Sequence, residues 1–297
     1  MAEGQTAAKL SLCNCRHTII LEDIVPKLLT EEQIDRFNTQ GALAPVKVME
    51  SDEAFEFRKK FEALEEEIGA EAQSRFRIKA HLPFPWLTEL IKNSNMLDAV
   101  EDLIGPDIIV WGSSFFTKKA NDHRFVSWHQ DSTYYGFDPA ESVTAWIAFS
   151  DSTRETGCVR VIPGSHKGDA VMKHVETFDP DNLLARGQTI EGVDETEIVD
   201  LQLHAGEMSI HDNRTVHSSM PNPSNMPRIG YAVHLCGPHV KQTQFDGATG
   251  TLVRGTDNYG NWGQDIEAKG HMDPDCLAAL DVAWQRYRDS MKAPYQQ

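Results

Sequence analysis

The chain reads as a mainly β protein with flanking α-helices, and three observations say so. Helical periodicity fills the stretch from about residue 27 to 105, short β-rich runs set apart by turn residues occupy about 106–240, and no internal repeat or low-complexity tract interrupts either half. At 297 residues, with 40 % hydrophobic and 8 % aromatic content, the chain carries enough apolar material for a well-packed core. We therefore read 1–26 as an N-terminal extension and 27–297 as one domain. That domain has a helical buttress (27–105), a β core (106–240) and a C-terminal segment (241–297).

In chain order, the N-terminal stretch "MAEGQTAAKLSLCNCRHTIILED" has neither a basic leader nor an uninterrupted apolar run, so a cytoplasmic protein is expected. Cys13, Cys15 and His17 lie close together but lack a second ligand pair, which favours an extension over a zinc site. The five cysteines are scattered and odd in number, as in a reducing compartment. A Thr-x-x-Gln signal starts a helix near Thr30. Phe55, Phe57, Phe61, Leu64 and Ile68 mark a second, amphipathic helix, and "PWLTELIKNSNMLDAVEDLIG" reads as a third that stops at a glycine. After Pro106 come the strand-like runs "DIIVWGSSFFTKK", "SVTAWIAFSDS", "GCVRVIPGSH", "EIVDLQLHAGEMSIHD" and "RIGYAVHLCGP", which predict a sandwich or barrel of antiparallel strands. Residues 178–197 read as a long excursion between strands.

Charge narrows the partners. A formal net charge of −17 argues against wrapping a phosphate backbone, and no window of eighteen apolar residues exists to cross a membrane. A small-molecule substrate is expected, with no nucleic-acid and no membrane partner; a homo-oligomer is compatible with the composition.

The chemistry concentrates in "SWHQDSTYYG" and "HDNRTVHSSMPNPSNMPR". On an extended strand His129 and Asp131 would point to one face, because side chains alternate with period two. A histidine from a distant strand would complete a two-histidine, one-carboxylate face, the arrangement that leaves adjacent positions open on a non-heme Fe(II) ion. An H-x-D triplet alone is more often a solvated loop or a structural pair. His211, His217 and His204 compete for the distal place, His204 being the most exposed in expectation. Arg228, eleven residues beyond His217, favours His217, since 2-oxoglutarate chelating iron needs a cation at its far carboxylate and a guanidinium binds a carboxylate through two parallel hydrogen bonds.

Together "WHQD", "GCVRVIPGSH", "HAGEMSIHDNRTVHSSMPNPS" and the His217-to-Arg228 spacing resemble the phytanoyl-CoA dioxygenase family of Fe(II)/2-oxoglutarate-dependent oxygenases, from roughly Leu29 to Pro238. The resemblance implies a double-stranded β-helix, a jelly roll, around iron held by His129, Asp131 and His217. It implies 2-oxoglutarate held by Arg228 and Ser219, with Trp146, Lys79 and Ser114 as further contacts, and O2 as the oxidant. It also implies hydroxylation, with succinate and CO2 released. Halogenating relatives replace the aspartate with a small residue, whereas Asp131 is retained.

Substrate residues are expected at Arg160, a charge inside an apolar strand, and at Tyr134, Tyr135 and Asn213 beside the iron ligands. These point to a small acid-bearing molecule of the amino-acid, betaine or aminoalkylphosphonate type. An acyl-CoA or secondary metabolite is the alternative, as are a zinc hydrolase on the same ligands and a non-catalytic jelly-roll binding protein.

Overall fold

A computed structural model describes residues 25–168, 171–184 and 187–290. The expectations for the N-terminal extension and for Cys13, Cys15 and His17 lie outside the described residues.

Helix α1 (Glu31–Gln40) begins where its capping box predicts, with the Thr30 side chain accepting from the Gln33 amide and the Gln33 side chain accepting from the Thr30 amide. It stops at Gly41, whose left-handed φ of 78° lets its amide reach the Phe37 carbonyl. Strand β1 (Ala42–Lys47) follows, unexpected in the helical half. Its "ALAPVK" carries a proline at a register irregularity between Leu43 and Val46, which hides the strand pattern.

In α2 (Ser51–Ile68) the buried stripe is Ala54, Phe61 and Leu64, flanked by half-buried Phe57 and Ile68. Phe55 lies off that stripe and is 51 % exposed, which corrects its assignment to the packed face. After the short α3 (Ala72–Arg75), the third expected helix proves to be two, α4 (Pro85–Leu90) and α5 (Ser94–Ile104). Asn93 breaks the stretch by capping α5 through the Met96 amide.

The strands then follow as β2 (Ile108–Lys118), β3 (Val126–His129), β4 (Phe137–Asp138), β5 (Val143–Ala148), β6 (Val159–Val161), β7 (His174–Glu176) and β8 (Gln188–Ile190). They continue as β9 (Val199–Leu201), β10 (Glu207–Asp212), β11 (His217–Ser219), β12 (Arg228–Cys236), β13 (Lys241–Gln242), β14 (Thr249–Arg254) and β15 (Gly263–Gln264). A one-turn helix, α6 (Ser132–Tyr135), interrupts them, and α7 (Pro274–Ser290) closes the described chain. The excursion at 178–197 leaves from β7 and returns as its hairpin partner β8.

Two sheets form the jelly roll. The larger runs β1-β10-β5-β12-β2-β14-β15, antiparallel except for the parallel pair β14–β15; the smaller runs β3-β11-β6-β9. The large sheet thus extends beyond the expected 106–240 at both ends, taking in β1 and β14. Strand alternation divides β12 cleanly: Ile229, Tyr231, Val233 and Leu235 join the apolar core against the helices. Arg228, Ala232 and His234 line the cavity on the opposite face. Aromatic contacts fasten the helical layer, with Phe61 5.0 Å from Phe115 and Phe57 5.5 Å from Phe149 between ring centroids. No helix among the described residues is long and apolar enough to cross a membrane.

Candidate active site

His129 ends β3 and His217 opens β11, and the two are direct cross-strand partners. Their ring centroids lie 4.0 Å apart. Asp131 reaches the same point by a different route from the one expected. The strand stops at His129, and Asp131 takes a helical conformation (φ −60°, ψ −36°) as the cap of α6, so a turn rather than strand alternation brings the carboxylate round. Four hydrogen bonds fix that turn. The Ser132 amide donates to the Asn213 carbonyl at 2.8 Å, the Gln130 amide donates to His174, and the Gln130 side chain bridges the Arg214 carbonyl and the Met172 amide.

The donor set suits a divalent ion. One ligand atom from each of His129, Asp131 and His217 lies within 4.8 Å of the others, and all three residues are buried. Each histidine is oriented by its Nδ1, 2.9 Å from the Ser127 carbonyl for His129 and 2.9 Å from the Thr215 carbonyl for His217. That leaves both Nε2 atoms facing Asp131 Oδ1, at 3.5 and 3.9 Å. Ligand bonds of about 2.1 Å meeting near right angles separate donors by about 3 Å, so a small closure suffices. Burial, then the neighbouring His129 and His211, push His217 well below its ordinary range and keep it a neutral ligand. For Asp131, burial pushes the carboxyl up, but hydrogen bonding with His129 and His211 and the nearby imidazoles win and hold it well below.

A cavity of about 210 Å³ opens beside this cluster. Arg228 is 1 % exposed and lines the cavity; its guanidinium lies 5.2 Å over the Trp146 ring and donates to the Gly157 carbonyl. Directly across the strand pair stands Lys118, whose Nζ donates to Ser219 Oγ at 2.7 Å and to the Met220 carbonyl. Neither cation makes an ion pair with a described residue. Burial, then Arg228, push Lys118 down to about 6, and burial lowers Arg228 to about 10. Ser219, Trp146 and Ser114 line the same cavity.

Sequence reasoning passed over Lys118. The signal was present, since Ser114, Phe116 and Lys118 share one strand face; alternation from Ser114 leads to it. Lys79 is a correction: it is buried away from the cavity, its Nζ 2.8 Å from Asp265 and 2.9 Å from the Thr249 carbonyl.

The expected substrate residues divide. Tyr134 and Tyr135 line the cavity, the Tyr135 hydroxyl 3.3 Å from His234 Nδ1. Arg160 does not: it lies on the outer face of the small sheet, 4.9 Å over the Trp128 ring and 2.8 Å from Glu195. It is thus a largely buried charge paired with Glu195 outside the cavity, and the anion role expected for it is withdrawn. Asn213 is buried but does not line the cavity; its backbone, bonded to Ser132 and Ser142, supports the Asp131 turn. His204 is exposed on a turn. His211, Thr144, His234 and Trp111 were not expected as cavity walls, nor were Arg77, Trp284 and Tyr287. The last two come from α7, whose sequence carries no motif to announce them.

Residues 24–230 match the phytanoyl-CoA dioxygenase (PhyH) family. A probable alpha-ketoglutarate-dependent hypophosphite dioxygenase of Stutzerimonas stutzeri is 28 % identical over 199 residues, 65 % of this chain and 67 % of that protein. A phytanoyl-CoA dioxygenase of Arabidopsis thaliana is 29 % identical over 127 residues, covering 43 % of this chain and 44 % of its own. Among solved structures, the non-heme monooxygenase ThoJ aligns with a TM-score of 0.77 at 28 % identity, over 88 % of this chain and 97 % of that one. CytC3 with Fe(II) and alpha-ketoglutarate shares the fold with a TM-score of 0.60 at 21 % identity, over 83 % and 97 %. The expected distal histidine, the H-x-D pair and the arginine thus meet in one cavity of a matching fold, and the chain belongs to the phytanoyl-CoA dioxygenase family of Fe(II)/2-oxoglutarate-dependent dioxygenases.

Proposed function

We propose that this protein hydroxylates a C–H bond of a small, polar, acid-bearing molecule of the amino-acid, betaine or aminoalkylphosphonate type, releasing succinate and CO2. The observation that carries the cosubstrate half is the pair Arg228 and Lys118, a buried guanidinium beside a buried amine with no described carboxylate paired to either. Such a pair is costly unless an anion reaches it, and the far carboxylate of 2-oxoglutarate is an anion of the right chemistry.

In this reading His129, Asp131 and His217 hold Fe(II), which when bound supplies the one-electron chemistry that activates O2. Arg228, Lys118 and Ser219 fix the distal carboxylate, while Trp146 packs under the guanidinium. The aromatic walls exclude water. Ser114 forms part of the same wall, and Tyr134 and Tyr135 border the substrate.

Acid preference is supported by the lining of the cavity. Among the described residues, Asp131 is the one acidic residue in its walls, against three arginines, Arg77, Arg124 and Arg228. Arg124 is taken up by Glu71 and Asp122, whereas Arg77 makes no ion pair with a described residue. Being named a hypophosphite dioxygenase, the Stutzerimonas stutzeri relative is consistent with a small oxyacid.

The test is 2-oxoglutarate-dependent O2 consumption with succinate release, run across small acids and their neutral amides or esters. Asp131→Ala and His217→Ala should lose most Mn(II) affinity by calorimetry and nearly all turnover, with an unchanged fold by circular dichroism. Full metal binding in both variants would remove the assignment of the centre.

A further inference from the structure

Of the three metal ligands, His129 and His217 stand on paired strands, whereas Asp131 stands on a turn. Its carboxylate therefore needs a support from outside its own element. The two carboxylate oxygens face different ways. Oδ1 faces the Nε2 atoms of His129 and His217, at 3.5 and 3.9 Å. Oδ2 is turned to the large sheet, where Thr144 Oγ1 donates to it at 3.2 Å and His211 Nε2 lies 3.7 Å away.

Thr144 is rigidly placed to hold that oxygen. It lies inside β5, with His211 of β10 as its partner on one edge and His234 of β12 on the other, so its backbone is fixed from both sides. The branched Cβ restricts χ1, and the residue is 3 % exposed, so the hydroxyl has little freedom to turn to water. Behind it stands a second layer. His234 Nδ1 lies 3.0 Å from Thr144 Oγ1 and 3.3 Å from the Tyr135 hydroxyl. A threonine hydroxyl has one proton to give, and an ionised carboxylate only accepts. The Thr144 proton therefore goes to Asp131, and His234 Nδ1 must carry the proton that Thr144 Oγ1 accepts. The chain runs one way, from His234 through Thr144 to Asp131.

We propose that Thr144 is a positioning residue of the metal centre: its hydroxyl, oriented by the Nδ1–H of His234, ties Asp131 Oδ2 to the sheet and so keeps Oδ1 turned to the two histidines. This rests on the metal assignment above and goes beyond it, since Thr144 belongs neither to the ligands nor to the cosubstrate contacts. Hydrogen bonds that orient a ligand from behind set how well the donors are arranged before the ion arrives, and losing one costs about 10–100-fold in metal affinity.

Thr144→Val keeps the shape of the side chain and removes the donor, while Thr144→Ser keeps the donor. Calorimetry with Mn(II) should show affinity about tenfold or more weaker in the valine variant and within about threefold of wild type in the serine variant. Unchanged affinity in Thr144→Val, or an equal loss in Thr144→Ser, would overturn the role. Melting of the metal-free proteins separates positioning from packing: any loss of stability in Thr144→Val should vanish when the same substitution is made in an Asp131→Ala background. A fall of several degrees in both backgrounds would make Thr144 a packing residue. Imidazole nitrogen spectra of the histidine-labelled, metal-free protein, assigned with His234→Gln, should show a protonated Nδ1 on His234. A bare Nδ1 would mean that Thr144 donates to His234 instead, which overturns the proposed direction and with it the hold on Asp131. A wild type that binds no Mn(II) would count against the metal centre itself.

Discussion

Lys118 is a residue whose charge the fold controls. Burial, then Arg228 across the strand pair, hold it near 6, far below an ordinary lysine. Above that value the folded protein keeps Lys118 uncharged while the unfolded chain keeps its lysine protonated, so this group makes stability rise with pH between about 6 and 10.5. A dianion bound at Arg228 favours the charged form. Binding of 2-oxoglutarate above pH 6 should therefore take up a proton, and affinity should weaken with rising pH by up to about tenfold per unit. Calorimetry in two buffers of different ionisation enthalpy would read the proton directly. Lys118→Met should bind weakly at low pH and lose the pH dependence; Arg228→Ala should weaken 2-oxoglutarate by about 1.5–3 kcal/mol or more while metal affinity holds. Uptake of no proton by the wild type would place Lys118 outside the cosubstrate site. At this scale the ligands were legible, because H-x-D and the His217-to-Arg228 spacing are local patterns. Arg160 was legible only as a charge in a strand; with three residues in β6, alternation cannot tell the inner face from the outer, and its Glu195 and Trp128 partners are distant in sequence.

Elements position these residues through close contacts that one methyl group would disturb. Gly230 faces Trp146 across β12 and β5, and a Cβ there would fall 1.8 Å from Trp146 Cζ2. The glycine is thus needed for close approach, so that the indole can lie flat on the sheet beneath Arg228. Gly230→Ala should push Trp146 off the sheet and destabilise the protein by about 1–3 kcal/mol, as overpacking does. Urea unfolding measures the stability, and 2-oxoglutarate affinity should fall with it, because the guanidinium loses its platform. An unaltered affinity in a destabilised variant would separate Trp146 packing from cosubstrate binding. Whole elements were readable where their signals are local: the capping box of α1 and the long apolar runs of β2, β5 and β12. Strands β3 and β11, four and three residues long, carry the two histidine ligands yet no usable periodicity; hydrogen bonds to each other, and of β11 to β6, make them strands. The split between α4 and α5 turns on one capping asparagine inside an otherwise continuous helical pattern.

At the scale of the whole molecule, the C-terminal segment is tied to the helical half by a buried polar cluster that the cavity does not use. Lys79 Nζ meets both Asp265 oxygens at 2.9 and 2.8 Å, and Asp265 also accepts from Thr251 at 3.0 Å. His81 continues the cluster to Ser113 at 2.6 Å, and the Tyr231 hydroxyl donates to the same Ser113 at 2.8 Å. Five separate stretches of chain are thereby joined, residues 79–81, β2, β12, β14 and the Asp265 loop. Both partners of the ion pair are almost wholly buried, with side-chain exposures of 5 % and 3 %. Removing one partner of such a pair leaves an uncompensated buried charge, whereas replacing both by apolar groups of similar size is often neutral. Asp265→Asn or Lys79→Met alone should therefore cost about 3–5 kcal/mol in urea unfolding, while the double variant Lys79→Met with Asp265→Leu should recover most of that loss. Position matters for function as well, because α7 follows this loop and brings Trp284 and Tyr287 to the cavity wall. The single variants should then weaken substrate binding more than metal binding, since His129, Asp131 and His217 lie on other elements. A double variant as unstable as the singles would show that the pair acts through its hydrogen bonds to Thr249 and Thr251 rather than through charge compensation.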